Sequence, residues 1–329
     1  MDGNHLFCED IAQIPKTMEK RKAVTMVIDR LSYDPSLLDD IGVYATYVKM
    51  GWGLSFLLQE KVLANRINRY KGLGLGVSNG GTFLEKCYLM GKFDDALERL
   101  YRAGFSWLEL SEGITTLPRK YKKSFTDFAN SKGLNFVMEV GRKNQGSQLS
   151  LTETLEEISQ AMEYGPSKII IEGRETGVGV EIYDMEGNIK WDWVQEIISN
   201  YPIDMIMFEA PQERQQVELI THLGPDINLG NISMSSLAAL ASQRLGLRGD
   251  TFGIEISTGN LSASPATKFV YHVIKNSIST DQTLIMKITG LERRTVQNSI
   301  KELMENGWIV ERSDPRDMRR KIYAQKRKP

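Results

Sequence analysis

The chain has 329 residues, 41% of them hydrophobic, and a formal charge of −1; that length holds one barrel of about 250 residues plus a small second unit. No apolar run approaches the roughly 18 to 20 residues that span a bilayer, and Met1 to Lys22 is too polar for an export leader, so no membrane association and a cytoplasmic location are expected. Two cysteines, Cys8 and Cys87, and three scattered histidines, His5, His222 and His272, offer neither metal-ligand spacing nor a histidine triad. The chemistry must rest on carboxylates, lysines and arginines.

From about residue 24 to residue 246, short apolar runs alternate with longer stretches of helical spacing, the pattern of repeated βα units. Strands are predicted at Val24 to Asp29, Tyr47 to Met50, Gly74 to Ser78, Trp107 to Leu110, Asn135 to Val140, Lys168 to Glu172, Met205 to Glu209 and Ile227 to Leu229. Ser150-Leu-Thr-Glu153 has the form of a capping box opening a helix over Leu151 to Tyr164, and Pro211 precedes another over Gln212 to Leu223. Eight strands each followed by a helix predict an α/β fold, a (β/α)8 TIM-type barrel over residues 1–252, instead of an open doubly wound sheet, which uses fewer strands.

Residues 253–265, rich in Ser, Thr, Gly and Ala, read as a linker. Residues 266–329 read as a small winged helix-turn-helix domain. Its helices fall at Thr267 to Ser277, Asp281 to Thr289 and Glu292 to Asn306, with a turn at Gly290. Two strands, Trp308 to Glu311 and Lys321 to Gln325, would flank a wing at Ser313-Asp-Pro-Arg316. Charge follows the same division: residues 1–265 carry −8 and residues 266–329 carry +7. A basic tail on an acidic body suits a polyanionic partner, here double-stranded DNA.

In a parallel barrel the functional groups stand at the carboxyl ends of the strands. The residues at or next to those ends are Asp29, Lys49, Glu109, Glu139, Glu172 and Glu209, with Asn228 on the last strand. Any one of these acids reads as a surface carboxylate or a helix cap. A repeated glutamate closing apolar runs such as Lys168-Ile-Ile-Ile-Glu172 and Met205-Ile-Met-Phe-Glu209 does not. Carboxylates converging on one mouth need a cation, and Mg²⁺, which takes oxygen ligands and binds substrate phosphate, is the expected cofactor. Arg174, in the loop after Glu172, can grip a phosphate or carboxylate at two points. Asn228 to Asn231 and Gly246 to Asp250 lie where barrels hold phosphate on backbone N–H groups, and Asn79-Gly-Gly-Thr82 offers a second anion site or a cap at Thr82.

These motifs, Thr25-Met-Val-Ile-Asp29, Lys49-Met-Gly-Trp-Gly53, Gly80-Gly-Thr82, Glu139-Val-Gly141, Ile171-Glu-Gly-Arg-Glu175, Phe208-Glu-Ala-Pro-Gln212, Gly224-Pro-Asp-Ile-Asn-Leu-Gly-Asn231 and Leu247-Arg-Gly-Asp-Thr251, together resemble the phosphosulfolactate synthase family over residues 24–251. The resemblance implies a Mg²⁺-dependent, lyase-type addition of sulfite to phosphoenolpyruvate giving 2-phospho-3-sulfolactate, an early step of coenzyme M biosynthesis. It implies Lys49 or Lys143 as the general acid, supported by Glu139, with Glu139, Glu172 and Glu209 as metal ligands or orienting groups. Asp29, Arg174, Asn228, Asn231 and Arg248 would hold the substrates. The chain departs from the family pattern at Arg30, where lysine is usual, at Leu31-Ser-Tyr33, and at Leu54, Asn79 and Glu112.

The tail resembles the winged helix-turn-helix of MarR-type regulators. That implies DNA contacts by Arg293, Arg294, Gln297 and Asn298 on a recognition helix and by Arg316, Arg319 and Arg320 on the wing. Such modules act as dimers, so a homo-oligomer is expected. A basic solvated appendage is the plainer reading of the same residues. The alternative for the whole chain is a transcription regulator that uses an altered barrel as a ligand sensor.

Overall fold

The computed structural model describes residues 23–143, 148–251, 263–276, 280–314 and 317–325. Eight parallel strands close into a barrel in chain order. They are β1 (Thr25–Asp29), β2 (Tyr47–Met50), β3 (Gly76–Asn79), β4 (Trp107–Ser111), β5 (Asn135–Val140), β6 (Lys168–Ile171), β7 (Ile206–Glu209) and β8 (Asn228–Ser233). Each corresponds to an expected strand. β8 alone runs well past its expected end, by four residues. Among the described residues the outer layer comprises α1 (Leu37–Ile41), α2 (Leu54–Leu57), α3 (Glu60–Gly72), α4 (Gly81–Leu89), α5 (Phe93–Ala103), α6 (Arg119–Ser131), α7 (Leu151–Met162), α8 (Trp191–Asn200), α9 (Glu213–Leu223) and α10 (Leu237–Arg244). The capping box opening α7 is formed: Ser150 accepts from the Glu153 N–H while the Glu153 carboxylate accepts from the Ser150 N–H, an arrangement worth about 1 kcal/mol.

Alternation along the strands divides the barrel into two apolar compartments. Val27, Val48, Val77, Leu108, Met138, Ile169 and Phe208 point outward and bury against the helices. Met26, Tyr47, Val137, Ile170 and Met207 point inward and fill the axis. In that inner layer Tyr47 and Trp107 stack with ring centroids 4.5 Å apart and planes 8° from parallel. They approach across β3 because Gly76 stands between them; a Cβ there would lie 2.4 Å from the indole. Below the stack, at the amino end, Asn228 closes the barrel. Its Oδ1 accepts from Val24 N–H at 2.8 Å, and its Nδ2 donates to the carbonyls of Asp204 (3.0 Å) and Ile206 (2.8 Å).

After the barrel come α11 (Pro265–Asn276), α12 (Gln282–Thr289), α13 (Arg293–Glu305) and an antiparallel pair, β9 (Ile309–Asp314) and β10 (Asp317–Gln325). They enclose a separate apolar cluster that includes Phe269, Val270, Ile274, Ile285, Val296, Ile300, Leu303 and Tyr323. Asp281 caps α12 through the Leu284 N–H, and Gly290 ends it in the left-handed conformation. Where this unit meets the barrel, Phe269 packs edge-on against the His222 ring and Gln195 donates to the Thr289 carbonyl. Residues 252–262, most of the expected linker, and Ser277, the expected end of the first tail helix, lie outside the described residues. No helix among the described residues is long and apolar enough to cross a membrane.

Candidate active site

One layer above the apolar axis, the same inward positions turn polar. Two residues along from Tyr47, Trp107, Val137, Ile170 and Met207 come Lys49, Glu109, Glu139, Glu172 and Glu209, all buried. Strand alternation therefore delivers five charged groups to one level of the mouth. Lys49 is the hub: its ammonium lies 2.9 Å from Glu109 Oε1, 3.0 Å from Glu209 Oε1 and 3.4 Å from Glu139 Oε2. Three carboxylates surround the ammonium, and Glu139 and Glu209 accept hydrogen bonds from it. Lys143, just beyond β5, contacts two, Glu139 Oε1 at 2.5 Å and Glu172 Oε2 at 3.2 Å, and keeps 24% of its side chain accessible.

Backbone N–H groups also meet three of these carboxylates. Gly81 N–H, opening α4, donates to Glu109 Oε1 at 2.8 Å; Gly173 N–H donates to Glu209 Oε2 at 3.0 Å; Arg174 N–H donates to Glu172 Oε1 at 2.6 Å. Asn231 reaches the mouth through a bulge: two steps on β1, Thr25 to Val27, pair with three on β8, Leu229 to Ile232. The extra residue turns Asn231 inward, where its Nδ2 donates to Arg174 O (2.7 Å) and Glu209 Oε2 (3.3 Å). The result is a cavity of about 330 Å³ lined by Lys49, Lys143, Glu172, Arg174, Glu209 and Asn231, with Trp52 and Glu175 at its rim.

Four acids and two lysines at one level cannot all keep ordinary ionisation. Burial pushes Glu109 up to about 7, and burial together with the neighbouring Glu139 carboxylate pushes Glu172 well above the carboxylate range. Burial acts the same way on Glu139, but Lys143 and Lys49 outweigh it and hold that carboxyl well below the usual range. Both ammonium groups are disfavoured by burial, yet their carboxylate partners raise them above an ordinary lysine. At neutral pH the mouth therefore holds two ammonium groups, at least one firmly ionised carboxylate and acids that retain protons.

Several polar atoms here are buried without a hydrogen bond: Glu109 Oε2, Arg174 Nε and Asn231 Oδ1, with Glu172 Oε2 held only by its ion pair with Lys143. Each such atom costs about 1 to 3 kcal/mol, and their concentration around one cavity marks a place built for a ligand. Backbone strain gathers at the same end. Among the described residues the non-glycine residues with left-handed backbone are Leu31, Trp52, Arg174 and Glu181, beyond the carboxyl ends of strands, and Asn231 at the β8 bulge.

Of the expected barrel residues, Lys49, Lys143, Glu139, Glu172, Glu209, Arg174 and Asn231 come together. Three do not. Asp29 shares the outward face of β1 with Val27, and its carboxylate is held by Arg66 and by Tyr70 Oη (2.6 Å) of α3. Asn228 begins β8 instead of ending it, so it sits at the opposite end of the barrel with its amide fully engaged. Arg248 pairs with Glu213 (3.1 Å) and Asp250 (3.4 Å), outside the lining of the cavity. Thr82 does not cap α4: Gly80 holds that position and makes no side-chain cap. Glu109, read as a strand end without a role, belongs to the Lys49 cluster. Glu85 and Glu181, both buried, escaped the sequence reading; an acid set in the apolar stripe Phe83-Leu84-Glu85 was the available signal for the first.

A family model for (2R)-phospho-3-sulfolactate synthase (ComA) matches residues 15–250. The chain belongs to this family. A phosphosulfolactate synthase of Methanocaldococcus jannaschii is 35% identical over 239 residues, 71% of this chain and 95% of that one. Phosphosulfolactate synthases of Methanothermobacter thermautotrophicus and Bacillus subtilis are 32% and 35% identical, covering 74% and 64% of this chain and 97% and 82% of theirs. The matched span contains every residue that lines the cavity, and with it the fold and the enzyme type are those of the phosphosulfolactate synthase family.

Residues beyond 250 lie outside the family match. There Arg293, Arg294, Gln297 and Asn298 are exposed on the first turns of α13, while Val296, Ser299 and Ile300 face the unit's core. Arg320 is not free: it pairs with Asp281, the residue capping α12, and so ties β10 to that helix. Arg316 and the side chain of Arg319 lie outside the described residues.

Proposed function

We propose that this protein adds sulfite to phosphoenolpyruvate to give 2-phospho-3-sulfolactate, in coenzyme M biosynthesis. The observation that carries the reading is the cavity lined by Lys49, Lys143, Glu172, Glu209, Arg174 and Asn231, with Glu109 and Glu139 held against its lysines, in a chain of this family. The sulfite sulfur lone pair forms the C3–S bond, and the C2=C3 π pair moves to C2 and into the carboxylate. A proton on C2 then completes the product, with the phosphate ester untouched. Lys143 is the proton donor in this reading, because it lines the cavity with 24% of its side chain accessible, whereas Lys49, 9% accessible, is held among Glu109, Glu139 and Glu209. Lys49 keeps the carboxylates in place and, as the buried positive charge, stabilises the developing aci-carboxylate. Arg174, with Nε unpartnered, takes an anionic oxygen of the substrate.

Two anions must enter a mouth that already holds the ionised Glu139 among further acids, and a divalent cation would offset the added negative charge. Glu109 Oε2 and Asn231 Oδ1, which have no hydrogen bond, and Glu172 Oε2, which has only its Lys143 ion pair, are oxygens of the kind Mg²⁺ prefers. Among the described residues no three acids, cysteines or histidines form a metal cluster; Mg²⁺ in general takes one or two carboxylates and completes its shell with water and phosphate. Bound there, Mg²⁺ would supply Lewis-acid neutralisation of the substrate carboxylate and phosphate.

Incubation of the full chain with phosphoenolpyruvate and sulfite in D₂O, with Mg²⁺ or EDTA, is followed by mass spectrometry. The expected product carries one deuterium at C2 and requires Mg²⁺; absence of sulfolactate under saturating Mg²⁺ and sulfite would move the reading to a barrel that only senses its ligand.

We further propose that residues 266–329 form a winged helix-turn-helix domain that binds double-stranded DNA, supported by the polar, exposed first turns of α13 after the Gly290 turn and the +7 charge of this segment. A homo-oligomer would present two such helices to two half-sites. Replacing Arg293 and Arg294 with alanine should weaken duplex binding by about tenfold and lower the salt slope by about 2; unchanged affinity would leave the unit a basic appendage.

A further inference from the structure

The proposed donor, Lys143, does not hold its position through its own strand. Its aliphatic stem lies flat against Gly113 in the loop after β4: a Cβ on Gly113 would come within 2.8 Å of Lys143 Cγ and 2.9 Å of Cδ. The two backbones are joined by the Lys143 N–H donating to the Gly113 carbonyl at 2.9 Å. The shape of the Gly113 loop therefore sets where the Lys143 ammonium points.

That loop is fixed from α4. Glu85 is 1% exposed, and among the described residues no lysine or arginine forms a salt bridge with it. One of its oxygens accepts the N–H groups of both Ile114 and Thr115, each at 2.8 Å, and the other accepts the Ser111 hydroxyl at the end of β4. Three donors on one buried carboxylate form a clamp at both ends of Ser111–Thr115, with Gly113 between them. α4 comes close enough because Gly81 lies against Ser111, where a Cβ would be 2.4 Å from the hydroxyl oxygen.

We propose that Glu85 is a positioning residue for proton transfer: by clamping the Ser111–Thr115 loop it holds Gly113 against Lys143 and directs that ammonium between Glu139 and Glu172. The inference rests on Lys143 being the proton donor. It makes the neutral glutamine an adequate substitute, since an amide oxygen can accept both backbone N–H groups while its NH₂ donates to the Ser111 hydroxyl, which can rotate to accept.

The test compares full-length Glu85→Gln, Glu85→Ala, Lys143→Met and the double variant Glu85→Ala/Lys143→Met with phosphoenolpyruvate and sulfite. Glu85→Gln should stay within about threefold of wild-type kcat, while Glu85→Ala loses kcat by about 100-fold with the phosphoenolpyruvate KM within about threefold. Adding Glu85→Ala to Lys143→Met should cost no further activity, the non-additivity expected of residues acting through one group. Wild-type kcat in Glu85→Ala, equal losses in the alanine and glutamine variants, or full additivity in the double variant would each overturn the proposal. Wild-type turnover by Lys143→Met would instead overturn the parent reading and this one with it. If Glu85→Ala does not fold, Glu85→Asp, one methylene shorter, carries the same expectations.

Discussion

The amino and carboxyl ends of the barrel are built from the same strands, two residues apart, and they are opposites. At the amino end Asn228 has every amide bond made, and the Tyr47–Trp107 stack fills the axis. At the carboxyl end, inward positions two residues on from Tyr47, Trp107 and Met207 carry Lys49, Glu109 and Glu209, with unpartnered oxygens and left-handed backbone nearby. One strand thus serves both ends: its lower inward residue contributes packing and its upper one is held in an arrangement that packing alone would not favour. Asp29 shows that height on the strand is insufficient, because a carboxylate at the same end but on the outer face becomes an anchor for α3.

The largest effect that would separate the ends is expected from Lys49→Met. Removing the ammonium leaves Glu109, Glu139 and Glu209 buried together, so the variant should lose about 3 to 5 kcal/mol of stability as well as its turnover, read by denaturant melts and the product assay. Asn228→Ala removes three buried hydrogen bonds and should cost about 2 to 3 kcal/mol with kcat unchanged; a matching loss of kcat would mean the ends are not independent. Gly76→Ala, which forces a methyl group against Trp107, should cost about 1 to 3 kcal/mol, again without a change in kcat.

The smallest effect is a pH slope. Glu109 has its folded pKa raised from 4.5 to about 7, so the folded protein binds that proton more tightly than the unfolded chain does. This contribution to stability is full below about pH 4.5 and is lost as pH rises through about 7. Glu109→Gln should flatten that part of the stability curve, measured by chemical denaturation from pH 5 to pH 8. An unchanged slope would show that Glu109 is already ionised at the bottom of the range.

The barrel was legible because the apolar runs have the length of strands and glutamate repeatedly closes them; β5 fell at its predicted bounds and β1 within one residue. The site was legible where alternation decided it, as for Lys49, Glu139 and Glu209. It was not legible where facing or register decided it. Asp29 ends a strand as Glu209 does, but from the outward face. Asn228 looked terminal because the motif Asn228-Leu-Gly-Asn231 contains glycine, while the bulge that keeps β8 paired and turns Asn231 inward arises only from pairing with β1. Glu85 acts through backbone N–H groups 29 and 30 residues away, a relationship local spacing cannot carry.

The most direct measurement is turnover of Lys143→Met beside the wild-type chain, with saturating Mg²⁺, sulfite and phosphoenolpyruvate and with melting curves on the same preparations. The account predicts a loss of about 10³-fold in kcat with the fold intact. Wild-type kcat in that variant would contradict it, because the carboxyl-end cluster would then be making its product without the lysine assigned to deliver the proton.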